Sequence, residues 1–233
     1  MPQKANHFPP YWGGAGGEAA KPISMLKAEV NIVGTIKRDA TVRTDKDYHP
    51  YVSFIMTVNL PDAKTGTKDV DIYVSLPNSG QNEAANYVAG LRVAVNGSLD
   101  IRKKEDALNF YLTANFISTD DVDSDDSIKG SLTFRGHLKK DNVYERKTDK
   151  KGNPFIVFSA YSAEKVGDGF VSTWVNFMRF PEKDAAIETI IPDFMRSKAH
   201  VDIKGDLQVS AYGGNVKLGC RVKEMSEYVY VQQ

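Results

Sequence analysis

Residues 33–54, VGTIKRDATVRTDKDYHPYVSF, and residues 135–158, RGHLKKDNVYERKTDKKGNPFIVF, are two versions of one segment. Such internal repetition constrains a fold more than any composition does. Gly34 and Asp39 stand 102 residues before Gly136 and Asp141, and Pro50 and Phe54 stand 104 before Pro154 and Phe158, with the two-residue change in a polar loop. Further blocks follow in the same order. DIYVSLP (71–77) aligns with VNFMRFP (175–181), VAVNGSL (93–99) with VDIKGDL (201–207), and NFYLTANF from Asn109 with NVKLGCRV from Asn215. Five ordered blocks imply a duplication, and the 233 residues suit two small domains.

Between the copies lies TDDVDSDDS, residues 119–127, with five aspartates. Like charges in a run solvate and extend, so this segment reads as the linker, and it has the charge to compete with phosphates for a basic surface. The expected organisation is an arm over 1–24, a first domain over 25–118, the linker, and a second domain over 128–233. The arm, with Pro and Gly where a signal peptide needs an apolar stretch, reads as flexible, with Tyr11 and Trp12 as incidental or base-stacking aromatics. No apolar run reaches the roughly 18 residues of a membrane span. Cys220 stands alone, with no disulfide partner and no metal-ligand spacing around it, which suits a reducing cytoplasm. No metal and no cofactor are expected.

Within each copy, period-two alternation and β-branched or aromatic enrichment predict short strands. In the first copy these are 26–37, 51–60, 70–76, 91–101 and 108–118. The alanine-rich SGQNEAANYVAG predicts a short helix ending at Gly90, and EKDAAIETIIPDFMRSKA a longer amphipathic helix in the second copy. The order β-β-β-α-β-β predicts an all-β protein with one short helix per repeat: two tandem OB-folds, each a five-stranded Greek-key barrel. Gly34, Gly97, Gly136 and Gly205 read as sites where strands coil sharply, since no phosphate-cradling spacing surrounds them.

The ordered set of motifs resembles the bacterial and phage single-stranded DNA-binding protein family over nearly all of residues 25–225. VGTIKRDATVR followed by YVSFIMTV is similar to the family's opening, and RGHLKKD followed by FIVFSAY is a second version. VSTWVNFM (171–178) is similar to its third strand, and VAVNGSL and VDIKGDL to its fourth. Ala40 and Asn142 replace the family's proline after the aspartate. EYVYVQQ stands where the family carries a flexible tail with an acidic tip that recruits other proteins, a departure from the pattern on which that recruitment rests. The resemblance implies non-catalytic, largely sequence-independent binding and protection of single-stranded DNA in replication, recombination or repair, with replication or recombination proteins as further partners. It also implies four OB-folds per assembly, which two chains would supply as a homodimer; a monomer with one continuous groove is the other expectation.

Sequence-tolerant binding of a single strand needs aromatic faces for bases and cations for phosphates. Alternation turns Tyr51, Phe155 and Tyr161 outward and leaves Phe54 and Phe158 to the core. The third strands add Tyr73, Trp174 and Phe177; the last two face opposite ways, the resemblance favouring Trp174 for the groove and a core tryptophan being the other reading. The loop joining strands one and two carries Lys37, Arg38, Arg43, Lys46 and Tyr48 in the first copy. In the second it carries Lys139, Lys140, Tyr144, Arg146, Lys147, Lys150 and Lys151. Arg102, Lys103 and Lys104 sit at the hairpin joining strands four and five, opposite Tyr212. Both loops flank an OB-fold groove.

Thirty basic and thirty acidic residues cancel, so attraction must be local. The second copy carries 17 basic and 13 acidic side chains against 11 and 11 in the first, which predicts more phosphate contacts there. His7, His49, His137 and His200 are scattered along the chain, and no catalytic constellation recurs between copies, so no enzyme is expected. A tandem-OB module for RNA or for replication or primosome proteins remains open, because stacking ignores the 2′-hydroxyl.

Overall fold

The computed structural model describes residues 25–120, 122 and 124–228; the arm with Tyr11, Trp12 and His7 lies outside the described residues. Alternating burial along the long strands builds two closed barrels. The first comprises β1 (Met25–Thr44), β2 (Pro50–Asp62), β3 (Gly66–Pro77), the helix α1 (Gln81–Ala84), β4 (Arg92–Lys104) and β5 (Ala107–Ser118). Its order β2-β3-β5-β4-β1 closes through a β1–β2 ladder, with β3 and β5 parallel, as an OB barrel requires. The second comprises β6 (Ser127–Leu138), β7 (Tyr144–Thr148), β8 (Pro154–Val166), β9 (Gly169–Arg179), β10 (His200–Tyr212) and β11 (Asn215–Glu227). It closes through β6–β8 with β9 and β11 parallel.

The inward rows, such as Val52, Phe54, Met56 and Val58 on β2 against Val70, Ile72 and Val74 on β3, are buried. At Gly97 and Gly205, both beside bulges, an added Cβ would lie 2.1 Å from a carbonyl oxygen of the neighbouring strand, so these glycines are structural, as expected.

The helices differ from expectation. In the first copy α1 stops at Ala84 rather than Gly90, because β1 claims the following backbone: Ala40 N donates to Tyr87 O and Ile36 N to Leu91 O. Among the described residues of the second copy no α-helix forms, only a 3-10 turn over Ile187–Ile190. Pro192 bars a helix through the middle of that stretch, and Ile190, Met195 and Ala199 reach the core from turns instead.

Register departs from the sequence alignment in two blocks. Phe54 pairs with Val74 and Phe158 with Phe177, so Val74, not Tyr73, is the counterpart of Phe177. The β2–β3 turn holds residues 63–65 and the β8–β9 turn only 167–168, and that one-residue difference swaps faces. The last block slips by two: Leu112 pairs with Leu99 and Cys220 with Leu207.

The barrels join through an antiparallel ladder of β1 with β6, from Met25↔Arg135 to Val33↔Ser127. They meet again at Asp62, at the end of β2. Its carboxylate accepts the backbone N–H groups of Gly213 (3.0 Å) and Gly214 (2.8 Å) from the β10–β11 turn as well as that of Lys64 (2.8 Å). The Gly214 amide, then those of Lys64 and Gly213, outweigh burial and hold this carboxyl well below the usual range. The expected linker is not wholly solvated: Asp126 pairs with Arg92 and accepts from Asn59 N at 2.6 Å, and Arg92 also donates to Ser124 O.

Candidate nucleic-acid interface

The outer faces of β2, β3 and β5 carry one aromatic platform. Ile55, Tyr73 and Tyr111 stand in register across the three strands. The Tyr73 and Tyr111 rings stack at 5.4 Å and 23°. The Arg102 guanidinium lies 5.9 Å from the Tyr111 ring and is oriented by Asp100 at 2.7 Å. Burial pushes the Tyr111 phenol up, so it remains a neutral donor. Tyr111 was absent from the sequence candidates, although the F-Y-L alternation over 110–112 is the signal that turns it outward.

The region read as a basic loop in the first copy is mostly strand. β1 runs on past two bulges as far as Thr44, so Arg38 and Arg43 sit opposite Ile55 and Tyr51 on a ribbon, while Lys37 is tied to Asp71 at 2.7 Å. Lys46 and Tyr48 occupy its tip, where Asp45 accepts the N–H groups of Asp47 (2.8 Å) and His49 (2.9 Å). These bonds, that of His49 first, keep the Asp45 carboxyl below its ordinary value. Asp149 caps the second tip in the same way through Lys151 and Asn153. Tyr48, 87% exposed with φ +64°, stands at the position of Gly152.

The second barrel presents a longer row on β8 and β9. At one end Phe155 stacks on Phe180 at 4.8 Å, with Arg221 4.9 Å from that ring. In the middle Trp174, 50% exposed, leans on Tyr161 at 5.0 Å. At the far end Phe170, 73% exposed, pairs with Lys165. From Phe155 to Lys165 this row extends for about 33 Å at ~3.3 Å per residue. Between its aromatic stations Ser159 donates to Asn176 at 2.9 Å. Phe170, Phe180 and Arg221 were missed, the first two because they fall at strand ends where alternation is short.

Phe177 is removed from the candidates: it is fully buried, packed between Phe134 and Phe158 at 5.0 Å each. Tyr144 packs against the core at the edge strand β7. Arg146 pairs with Glu188 and Lys147 with Glu145. Lys139, Lys140, Lys150 and Lys151 lie at the ends of the segment spanning β7, and Lys103 and Lys104 on the β4–β5 hairpin. Tyr212 takes the position of Lys104 on the β10–β11 hairpin, exposed, with the Lys217 ammonium 5.0 Å from its ring.

Two of the histidines come together in space. His137 and His200 stack at 4.3 Å and 11° on adjacent strands.

No family model matches the chain, and no curated protein matches it by sequence. Among solved structures it is similar to the single-stranded DNA-binding protein of Thermus aquaticus, at 12% identity and a TM-score of 0.45 over 91% of this chain and 97% of that one. It is similar too to a mitochondrial single-stranded DNA-binding protein of S. cerevisiae, Rim1 (19% identity, TM-score 0.34, 44% of this chain and 96% of that one). A third is the small single-stranded DNA-binding protein of Streptomyces coelicolor (19%, TM-score 0.33, 43% and 97%).

Proposed function

We propose that this protein binds single-stranded DNA without catalysis and largely without sequence preference, covering exposed strands during replication, recombination or repair. The observation that carries the reading is the row on β8 and β9, where Phe155–Phe180, Tyr161–Trp174 and Phe170 follow one another along one outward face, with Ser159–Asn176 between the first two stations, and are bordered by Arg221 and Lys165. Aromatic stations on a strand face accept any base, since every base has a π-face, and each stacked base is worth ~1–3 kcal/mol. The Tyr73–Tyr111 platform with Arg102 supplies a second, smaller surface on the first barrel.

Trp174 reports directly on the row once Trp12 is replaced by phenylalanine, because the chain has two tryptophans. Titration with oligo-dT quenches its fluorescence, and the logarithm of affinity falls linearly with that of salt, at roughly 0.7 per phosphate neutralised. A flat salt response, or no quenching, refutes the reading. Preference for poly-U over poly-dT redirects it to RNA.

A further inference from the structure

The Trp174–Tyr161 pair does not end at the edge of the row. Tyr161 also meets His137 at 5.6 Å, His137 stacks on His200 at 4.3 Å, and His200 meets Tyr228 edge-on at 4.7 Å. These rings occupy β9, β8, β6, β10 and the residue just past β11. They stand in register across the strands, with Tyr161↔Trp174, His137↔Tyr161 and His200↔His137 as ladder pairs and Tyr228 N donating to His200 O at 2.8 Å. The result is a belt around the second barrel, perpendicular to the strands and about 20 Å long at ~4.8 Å per strand. Arg135 lies over Tyr228 at 4.1 Å and is fixed by Asp202 at 2.6 Å, and His137 Nδ1 lies 3.5 Å from the backbone carbonyl oxygen of Lys198.

A cross-strand ladder of rings is one way to seal the seam between β6 and β8, but the first barrel shows that the seam does not need it. The same ladder positions there hold Asp71, Thr57, Thr35 and Arg92. Thr57 donates to Asp71 at 2.9 Å, Arg92 donates to Thr35 at 3.3 Å, and that barrel closes as completely. Rings are therefore not required for closure. In the first barrel Asp126 sits on Arg92, and Lys37 on Asp71. One belt is aromatic, with the Arg135–Asp202 pair at its end, and its counterpart is a row of threonines and ion pairs that offers no ring for a base.

From this contrast we infer that the belt His137–His200–Tyr228 is a further binding track for single-stranded nucleic acid. It leads the strand from the Trp174 station around the second barrel, and the first barrel has no equivalent. The inference rests on the function proposed above. It assigns the direction in which a bound strand leaves the row, transverse to β8 and β9 rather than along them.

The test replaces the histidines by the residue with which the first barrel closes, His137→Thr with His200→Thr, in the Trp12→Phe protein. Oligo-dT of graded length is then titrated against Trp174 fluorescence. The expected result is unchanged affinity for the shortest oligomers that quench Trp174, a loss on the order of tenfold for longer ones, as for one stacked base, and a shorter occluded length. His137→Phe with His200→Phe restores both. Equal affinity and occluded length at every oligomer size overturn the inference while leaving the parent reading intact; absence of quenching in the unaltered histidine protein overturns the parent reading. A measurement independent of variant folding uses 5-iodouracil oligomers photo-crosslinked to the full chain. Adducts at Tyr228 or the histidines, besides Trp174, support the track, and adducts at Trp174 and Tyr161 alone overturn it.

Discussion

Glu29 of β1 pairs with Ser131 of β6, its own counterpart in the duplication. A pseudo-twofold axis therefore passes between them, and the two barrels share one ladder as two copies across a symmetric interface would. Each barrel's β1–β4 or β6–β10 ladder obeys the same correspondence, since Gly34↔Val93 matches Gly136↔Val201. The symmetry is that of the backbone. The outward side chains have diverged: Trp174, Tyr161, His137 and His200 stand where the first barrel has Asp71, Thr57, Thr35 and Arg92.

The shared ladder makes Gly130 critical. A Cβ there would lie 2.1 Å from Glu29 O and 2.8 Å from Val30 Cα, all of it backbone. Gly130→Val is expected to destabilise by about 3 kcal/mol, in the range of severe backbone or packing lesions. Calorimetry reads this as a lowered Tm, and melting at the unaltered temperature contradicts it.

Tyr48 holds a left-handed conformation that its counterpart Gly152 adopts freely. Tyr48→Gly should raise stability by about 1 kcal/mol through relief of that strain and weaken oligo-dT binding through loss of an exposed ring. Opposite signs in the two measurements are the signature. Parallel losses mean that the ring packs rather than binds.

Tyr111 on β5 turns outward onto Tyr73, whereas Phe177 on β9 is buried. Tyr111→Ala should weaken binding by about 1–3 kcal/mol with little change in Tm. Phe177→Ala should cost about 3–5 kcal/mol of stability through the cavity it leaves, with binding near normal at temperatures where the variant is folded. Reversal of this pattern would reverse the assignment of faces.

Asp62 joins the barrels through amide donors, and its carboxyl is held below the ordinary value near 4. A depressed folded-state pKa contributes stability that is complete above the unfolded value and is lost as pH falls through the acid range. Stability should thus be flat near neutrality and decline below about pH 4. Asp62→Asn should be less stable at pH 7 and decline less steeply in acid. Equal acid slopes for both proteins would remove Asp62 from the account.

Burial pushes the Cys220 thiol up to about 12, with Asp206 adding to the effect. Because the thiolate is the reactive form, Cys220 should resist thiol reagents in native buffer and react at once in denaturant. Rapid native labelling would show that β11 opens locally.

The tandem barrels were legible in the sequence because alternation records which face of a strand is apolar, and repeated glycines mark where strands approach closely. Phe54, Phe158, Tyr51, Phe155 and Tyr161 went to their observed faces on that basis. The second helix was misjudged because Ile187, Ile190, Ile191 and Phe194 mimic a helical face while Pro192 forbids one.

What the sequence by itself determined is the duplication, the five strands of the first copy and most of each core, since these depend on local period and composition. Only the tertiary structure decided which strands neighbour which and in what register. A hairpin one residue shorter sent Phe177 inward. Barrel closure then set His137 beside His200 and Asp62 beside Gly214, 152 positions away along the chain. Periodicity gives a side chain its face; only cross-strand hydrogen bonding gives it its neighbours.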